Sequence, residues 1–195
     1  MASASPARLT LLTSAGITPE VVVSNVDEAA LIRELGEQEP TDLVLELARA
    51  KARDVATRLA TDASTIVIGC DSMLEMDGEV HGKPASAQEA RRRWLAMSGR
   101  TGSLHTGHWI VIGDREVGAV ATTSVTHGKP TPREIDAYIA TGEPLRVAGA
   151  FTLDGLGAPF VDRINGDPSN VIGLSLPLTR RLLSHLGIVW TDLWA

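Results

Sequence analysis

Six residues near the start of the chain, Ser3-Ala4-Ser5-Pro6-Ala7-Arg8, have the ingredients of an anion site. Ser5 is a favoured N-cap, Pro6 a favoured first-turn residue and Gly16 a favoured stop, so the spacing predicts a helix over residues 6–15. Such a helix presents free N–H groups and the positive end of its dipole. The Ser3 and Ser5 hydroxyls and the Arg8 guanidinium would add the hydrogen bonds that a phosphate chain takes up. The same residues also read as a well-capped surface helix with one solvated arginine. Asp71 is a second candidate. It follows a β-branched stretch, which places it at a strand's carboxyl end, where open α/β sheets collect their ligands. A carboxylate there can accept a proton from water or hold a divalent ion. It also reads as a turn-forming aspartate after a strand.

Other positions carry weaker signals. Lys51 stands between Arg49 and Arg53 in ELARAKA, and by composition all three read as solvent-facing charges. Lys83 precedes Pro84 in HGKP, and the proline biases it to an extended shape. Asp27 and Glu28 in SNVDE read as loop solvation. Asp154 in TLDGLG reads as the turn residue of a DG pair. Histidines 81, 105, 108, 127 and 185 show no zinc-ligand spacing. Cys70, in an apolar strand, reads as packing rather than nucleophile. Gly155-Leu156-Gly157 is a weak glycine motif, and no phosphate-binding glycine loop of the usual lysine-containing type occurs. Gly173 reads as a position of close backbone approach.

The elements that must position these residues alternate between strand and helix. Residues 21–24 are predicted as a short strand, followed by a polar loop to Pro40. Thr41 caps a helix running to about Leu59, with Leu43, Leu47 and Ala50 on its apolar face. Residues 65–70 read as a buried strand, and Asp77-Gly78 as a hairpin turn. Ser86 with Glu89, and Thr131 with Glu134, read as capping boxes for helices ending near Gly99 and Gly142. Residues 103–112 and 115–126 read as long strands, antiparallel about Gly113-Asp114. The class is α/β, a mixed sheet flanked by helices.

Composition narrows the partners. A chain of 195 residues forms one domain, or two closely joined lobes, and buries an ordinary core. A net charge of −6 argues against a nucleic-acid backbone as partner, since tracking phosphates needs clustered Lys and Arg. A small nucleotide needs only a few placed cations. A single cysteine allows no internal disulfide and fits a reducing cytoplasm. No apolar run approaches the ~20 residues of a membrane span, so no membrane partner is expected.

Taken together and in this order, ASASPARLTLL, ELARAKA, VIGCDS, HGKP and EPLRVAGAFTLDGLGAPFVDRINGDPSNVIGL resemble the Maf family of nucleoside triphosphate pyrophosphatases. The resemblance runs from Ala2 to about Gly187. It implies a two-lobed fold like that of inosine triphosphate pyrophosphatases, though the lysine-rich opening motif of those enzymes is not visible. It implies cleavage between the α and β phosphates of a nucleoside triphosphate, with Mg²⁺ or Mn²⁺. It assigns Asp71 as catalytic aspartate and metal ligand, Glu28 as a further metal ligand, and Lys51 and Lys83 as phosphate-facing charges. Ser3, Ser5 and Arg8 would bind the phosphates. Asp154 stands where uridine- and thymidine-specific relatives carry glutamine; an acid there, as in relatives acting on 7-methyl-guanosine triphosphate, accepts from guanine's paired donors. A homodimer and a house-cleaning role in removing non-standard nucleotides also follow from the resemblance. So does an alternative, a nucleotide-binding regulator of cell division with little turnover. The chain departs from the family pattern at Ala7, often Arg or Trp. It also departs before Ala2, where the family has an apolar strand ending in Leu-Ala-Ser. An upstream start adding roughly 5 to 12 residues, one ordinary strand, is expected.

Overall fold

A computed structural model describes residues 1–59 and 64–194. The elements run α1 (Pro6–Ser14), α2 (Glu28–Leu35), α3 (Pro40–Leu59), β1 (Ile66–Met76), β2 (Glu79–His81), α4 (Ala87–Met97), β3 (Thr101–Ile112), β4 (Arg115–His127), α5 (Pro132–Ala140), β5 (Val161–Asn165), α6 (Pro168–Ile172) and α7 (Leu176–His185). The strands form one sheet in the order β2-β1-β3-β4-β5. The β1/β2 and β4/β5 pairs are antiparallel, and β3 and β4 are joined by the two-residue turn at Gly113-Asp114. The α/β class read from the sequence holds.

Local chemistry accounts for most boundaries. Asp77 and Gly78 both adopt positive φ, 56° and 80°, as a two-residue hairpin turn requires. Thr131 and Glu134 form a complete capping box on α5. At α4 the Ser86 side chain accepts from Glu89 N–H, but the Glu89 carboxylate turns to Ala85 N–H instead of closing the box.

Three segments differ from the sequence reading. Residues 21–24 are not a strand; Val22 N–H donates to the Met1 carbonyl at 3.0 Å, and Ala2 N–H donates to the Ile68 carbonyl at 2.8 Å. The supposed loop before Pro40 contains α2, capped by Asp27, whose carboxylate accepts from Ala30 N–H at 2.9 Å. Finally, β1 does not stop at Cys70 but continues to Met76, so Asp71 is an interior strand residue rather than one at a carboxyl end.

Contacts divide the chain into two compact units. One comprises residues 1–71, 106–121 and 173–195; the other comprises 72–105 and 122–172. The first is built around Leu12, Ile68, Ile110, Ile112, Leu174 and Leu183, with a second cluster where Ala52, Val55 and Val67 meet. The second packs Leu74, Trp94, Met97, Leu104, Ile135 and Phe151 together. Trp94 is fully buried there, and its indole N–H donates to the Ala150 carbonyl at 2.7 Å.

In the first unit α3 lies against the sheet at two glycines. A Cβ on Gly69 would fall 2.4 Å from the Ala48 carbonyl, and one on Gly107 would fall 2.1 Å from the Val44 carbonyl. Any side chain at either position would push the helix away. The buried face of α3 is Val44, Leu47, Ala48, Lys51, Ala52, Val55 and Ala56, one turn-spaced stripe. Leu43 and Ala50 lie at its margins, only partly buried.

Candidate active site

The close approach at Gly69 sets the chemistry of the first unit. Lys51 occupies a core position of α3 and points at β1, two residues beyond the glycine contact. Its Nζ lies 2.6 Å from Asp71 Oδ1 and 2.9 Å from Glu28 Oε1. Lys51 and Asp71 are each only 8% exposed, whereas the Glu28 side chain is half exposed. Reading Lys51 as a solvent-facing charge, like Arg49 and Arg53, is therefore wrong. The missed signal was its register, since Lys51 falls seven residues after Val44 and four before Val55, on the stripe that faces the sheet.

Burial pushes the Asp71 carboxyl above the ordinary aspartate range. The Lys51 ammonium, by charge and hydrogen bond, and then the Arg8 guanidinium, pull it back without cancelling the rise. A carboxylate with a raised pKa is a stronger base than free aspartate and closer to the range useful at neutral pH. Its strand neighbour Cys70 has a thiol pushed up to about 11 by burial, so it is inert packing, as its apolar surroundings suggested.

Arg8 is not the solvated arginine of the simplest reading. It is buried at 9% exposure. Its Nε donates to the Gly173 carbonyl at 2.6 Å, and Nη1 donates to Ser3 Oγ at 3.0 Å and to the Cys70 carbonyl at 2.9 Å. Gly173 has φ of 123°, and a Cβ there would meet Arg8 Nε at 3.3 Å, which bears out its reading as a close-approach residue. Ser3 Oγ accepts from Arg8 and also from Ser5 N–H at 3.2 Å. With its lone pairs engaged, the Ser3 hydroxyl is left to donate. Ser5 caps α1 by accepting from Arg8 N–H at 3.5 Å.

The structure thus gathers Ser3, Ser5, Arg8, Glu28, Lys51 and Asp71 within one unit. Asp27, the other acid of SNVDE, is committed to capping α2. Lys83 and Asp154 belong to the other unit, and both are exposed. The peptide before Lys83 is held in place: the Gly82 carbonyl accepts from Arg93 Nη1 at 2.6 Å and from Gly149 N–H at 3.3 Å. Two histidines act as struts. His108, fully buried, accepts from Ser175 N–H through Nε2 at 2.8 Å and so fixes the start of α7. His105 bridges Thr122 at 2.9 Å and Glu75 at 3.1 Å. Among the described residues no three His, Cys, Asp or Glu side chains group as a metal cage, and no helix is long and apolar enough to cross a membrane.

Comparison with known proteins identifies the family. The chain is 56% identical to the nucleoside triphosphate pyrophosphatase of Streptomyces coelicolor, over all of this chain and 93% of that one. It is 54% identical to the protein of the same name from Salinispora tropica, covering 86% of that chain. It is 52% identical to the Rhodococcus opacus protein of that name, covering 95% of it. The family described as Maf-like protein matches residues 1–186. With nearly the whole chain matched, the protein belongs to the Maf family.

Proposed function

We propose that the protein hydrolyses nucleoside triphosphates to a nucleoside monophosphate and pyrophosphate. The observation that carries this reading is the buried Lys51 ammonium shared by Asp71 and Glu28, in a family whose relatives bear that enzymatic name. A lysine buried beside two carboxylates is a costly arrangement for stability alone. It suits a site that must organise charge around a polyanion.

In the proposed reaction a water attacks the α-phosphorus and its proton passes to Asp71, whose raised pKa favours the transfer. The bond from the α-phosphorus to the bridging oxygen breaks, and pyrophosphate leaves with the electron pair. The Ser3 hydroxyl and the Ala7 N–H in the first turn of α1 donate to phosphate oxygens. Arg8 holds Ser3 in position and adds positive charge, while Lys51 and Lys83 offset the charge that develops on the phosphates.

Glu28 and Asp71 also fit a divalent cation. The position their oxygens share is held by the Lys51 ammonium, so an ion would bind beside it; hard carboxylate donors suit Mg²⁺ or Mn²⁺, which ordinarily takes one or two carboxylates and completes its shell with water and substrate phosphate. When bound, such an ion neutralises phosphate charge. Asp154, an exposed carboxylate, would accept hydrogen bonds from guanine's N1–H and N2–H₂, which makes guanine or modified-guanine triphosphates the preferred class. Clearing non-standard nucleotides in the cytoplasm, as a homodimer, completes the proposal.

The test is turnover of a triphosphate panel in ¹⁸O-labelled water, with and without divalent cation. The expected products are pyrophosphate and a monophosphate carrying the label. Release of orthophosphate, or label in the pyrophosphate, would overturn the assigned bond cleavage.

A further inference from the structure

The loop that presents Asp154 is tied to one carboxylate. Glu143 lies in the second unit, just past α5, in a 3₁₀ turn formed by Glu143–Arg146. Its Oε1 accepts from the Thr152 hydroxyl, from Tyr138 O–H at 3.1 Å and from Gly157 N–H at 3.2 Å, while Oε2 accepts from Leu156 N–H at 3.2 Å. Thr152 Oγ1 also meets Tyr138 Oη at 3.3 Å and accepts from Gly157 N–H at 3.2 Å. Four donors therefore converge on one side chain, and three of them come from residues 152–157, which flank Asp154 on both sides.

The glycines of this loop fit the same device. A Cβ on Gly155 would fall 2.8 Å from both Glu143 carboxylate oxygens, and one on Gly157 would fall 2.5 Å from Tyr138 Oη. Leu-Asp-Gly-Leu-Gly is thus shaped to wrap a carboxylate of its own unit. Burial opposes ionisation of Glu143, but the donors from Thr152, Leu156, Tyr138 and Gly157 outweigh it and hold the group below the usual glutamate range. The charged form accepts all four of these donors and so keeps the loop closed on itself. Asp154 remains at its exposed tip, and among the described residues its carboxylate has no hydrogen bond or ion pair.

We infer that Glu143 is a positioning residue for nucleobase selection, holding the 152–157 loop so that the Asp154 carboxylate is presented in one orientation. The inference rests on the proposed role of Asp154 as acceptor for the base. Glu143→Gln keeps the size of the side chain but leaves one accepting oxygen. It places an amide NH₂ against donors that need an acceptor, so the loop loses its single arrangement.

The readout is the ratio of kcat/KM for GTP to that for UTP, measured on wild type, Glu143→Gln, Asp154→Gln and the double variant. A ratio of two substrates on one preparation does not depend on how much of the protein is folded, so a partly unfolded variant remains informative. Thr152→Val, which removes one donor, serves as a milder second variant. Asp154→Gln is expected to lower the GTP preference by about 5- to 150-fold, the range for one paired base contact. Glu143→Gln is expected to lower it at least about fivefold, Thr152→Val by less, and the double variant no further than Asp154→Gln alone. If Asp154→Gln shifts the ratio and Glu143→Gln leaves it alone, the positioning role is wrong. Multiplying effects in the double variant would also refute it, since Glu143 would then act independently of Asp154. An unchanged ratio in Asp154→Gln would refute the base-selection reading beneath it.

Discussion

Replacing Lys51 with Met should destabilise the protein, and by an amount that depends on pH. Two ion pairs are lost, but they are not equal. Glu28 is half exposed, so its pair with Lys51 contributes little in solvent. Asp71 is buried, and removing its nearest cation leaves an uncompensated charge, which costs about 3–5 kcal/mol for pairs of this kind. Arg8 still acts on Asp71, which places the expected loss near the lower end. For a chain of this length each kcal/mol moves the melting temperature by roughly 2–4 °C, so a drop of about 6–12 °C is expected at pH 8. Losing Lys51 also removes the main influence holding the Asp71 pKa down, so the folded-state pKa rises further. An acid with a raised folded pKa leaves stability intact below its unfolded value, about 3.9. Stability falls by about 1.4 kcal/mol per unit as pH climbs from that value to the folded one and is flat above it. The melting gap between variant and wild type should therefore be small at pH 4.5 and widest at pH 8. The assay is thermal unfolding across that range, with Lys51→Met/Asp71→Asn as control; the control should lose most of the pH dependence. A gap that stays the same at both ends would refute the buried-charge account of this pair.

The remaining predictions separate chemistry from folding. Asp71→Asn removes the proposed base and should lower kcat by about 10²–10⁴-fold, whereas unchanged turnover in steady-state assays would remove Asp71 from the reaction. Lys83→Met replaces an exposed side chain, so its stability should stay within about 0.5 kcal/mol of wild type while pyrophosphate release falls at least about tenfold; full activity in the folded variant would deny Lys83 its phosphate contact. Cys70, with its thiol pushed up to about 11 by burial, should resist alkylation at pH 8 in the native state and react only on unfolding, which mass spectrometry would show.

One turn and one capping box were the most legible parts of the fold because their signals are local. Asp77-Gly78 and the Thr131/Glu134 capping box each fit within four residues, and no distant contact overrides them. The α2 helix was missed although Asp27, the run Glu-Ala-Ala-Leu-Ile-Arg-Glu-Leu and Gly36 carry a cap, helix formers and a stop. Leu31, Ile32 and Leu35 even give it an apolar face, but the helix is only 8 residues long and none of them is buried, so no tertiary packing reinforces that short signal. The end of β1 was misplaced for the opposite reason. Asp71 reads as punctuation after an apolar strand, yet in the fold it is one more interior strand residue, its charge accommodated by a lysine 20 positions earlier. Only a tertiary contact can make a strand run through a buried aspartate.

Candidate residues for the site could be picked out of the sequence, but their geometry could not. HGKP occurs twice, at His81–Pro84 and His127–Pro130, so four residues in a row cannot single out Lys83 over Lys129; the resemblance does so only through order along the whole chain. For Lys51 the decisive fact lies in the partner strand. Gly69 lets the backbone of α3 come close enough for a side chain on its core stripe to reach Asp71, and Gly107 supports the same approach a strand away. A β-branched residue would have been the ordinary choice within either strand. Glycine in VIGCDS and in HTGH therefore reads differently once α3 is laid across them: the glycines make room for the helix, and the helix delivers the lysine. The same logic governs Arg8, whose partners Ser3, Cys70 and Gly173 come from three separate stretches of chain. Each of these charged groups is buried because small residues elsewhere yield space to it. Substituting Gly69 or Gly107 with alanine should then impair catalysis through Lys51 without touching any charged residue.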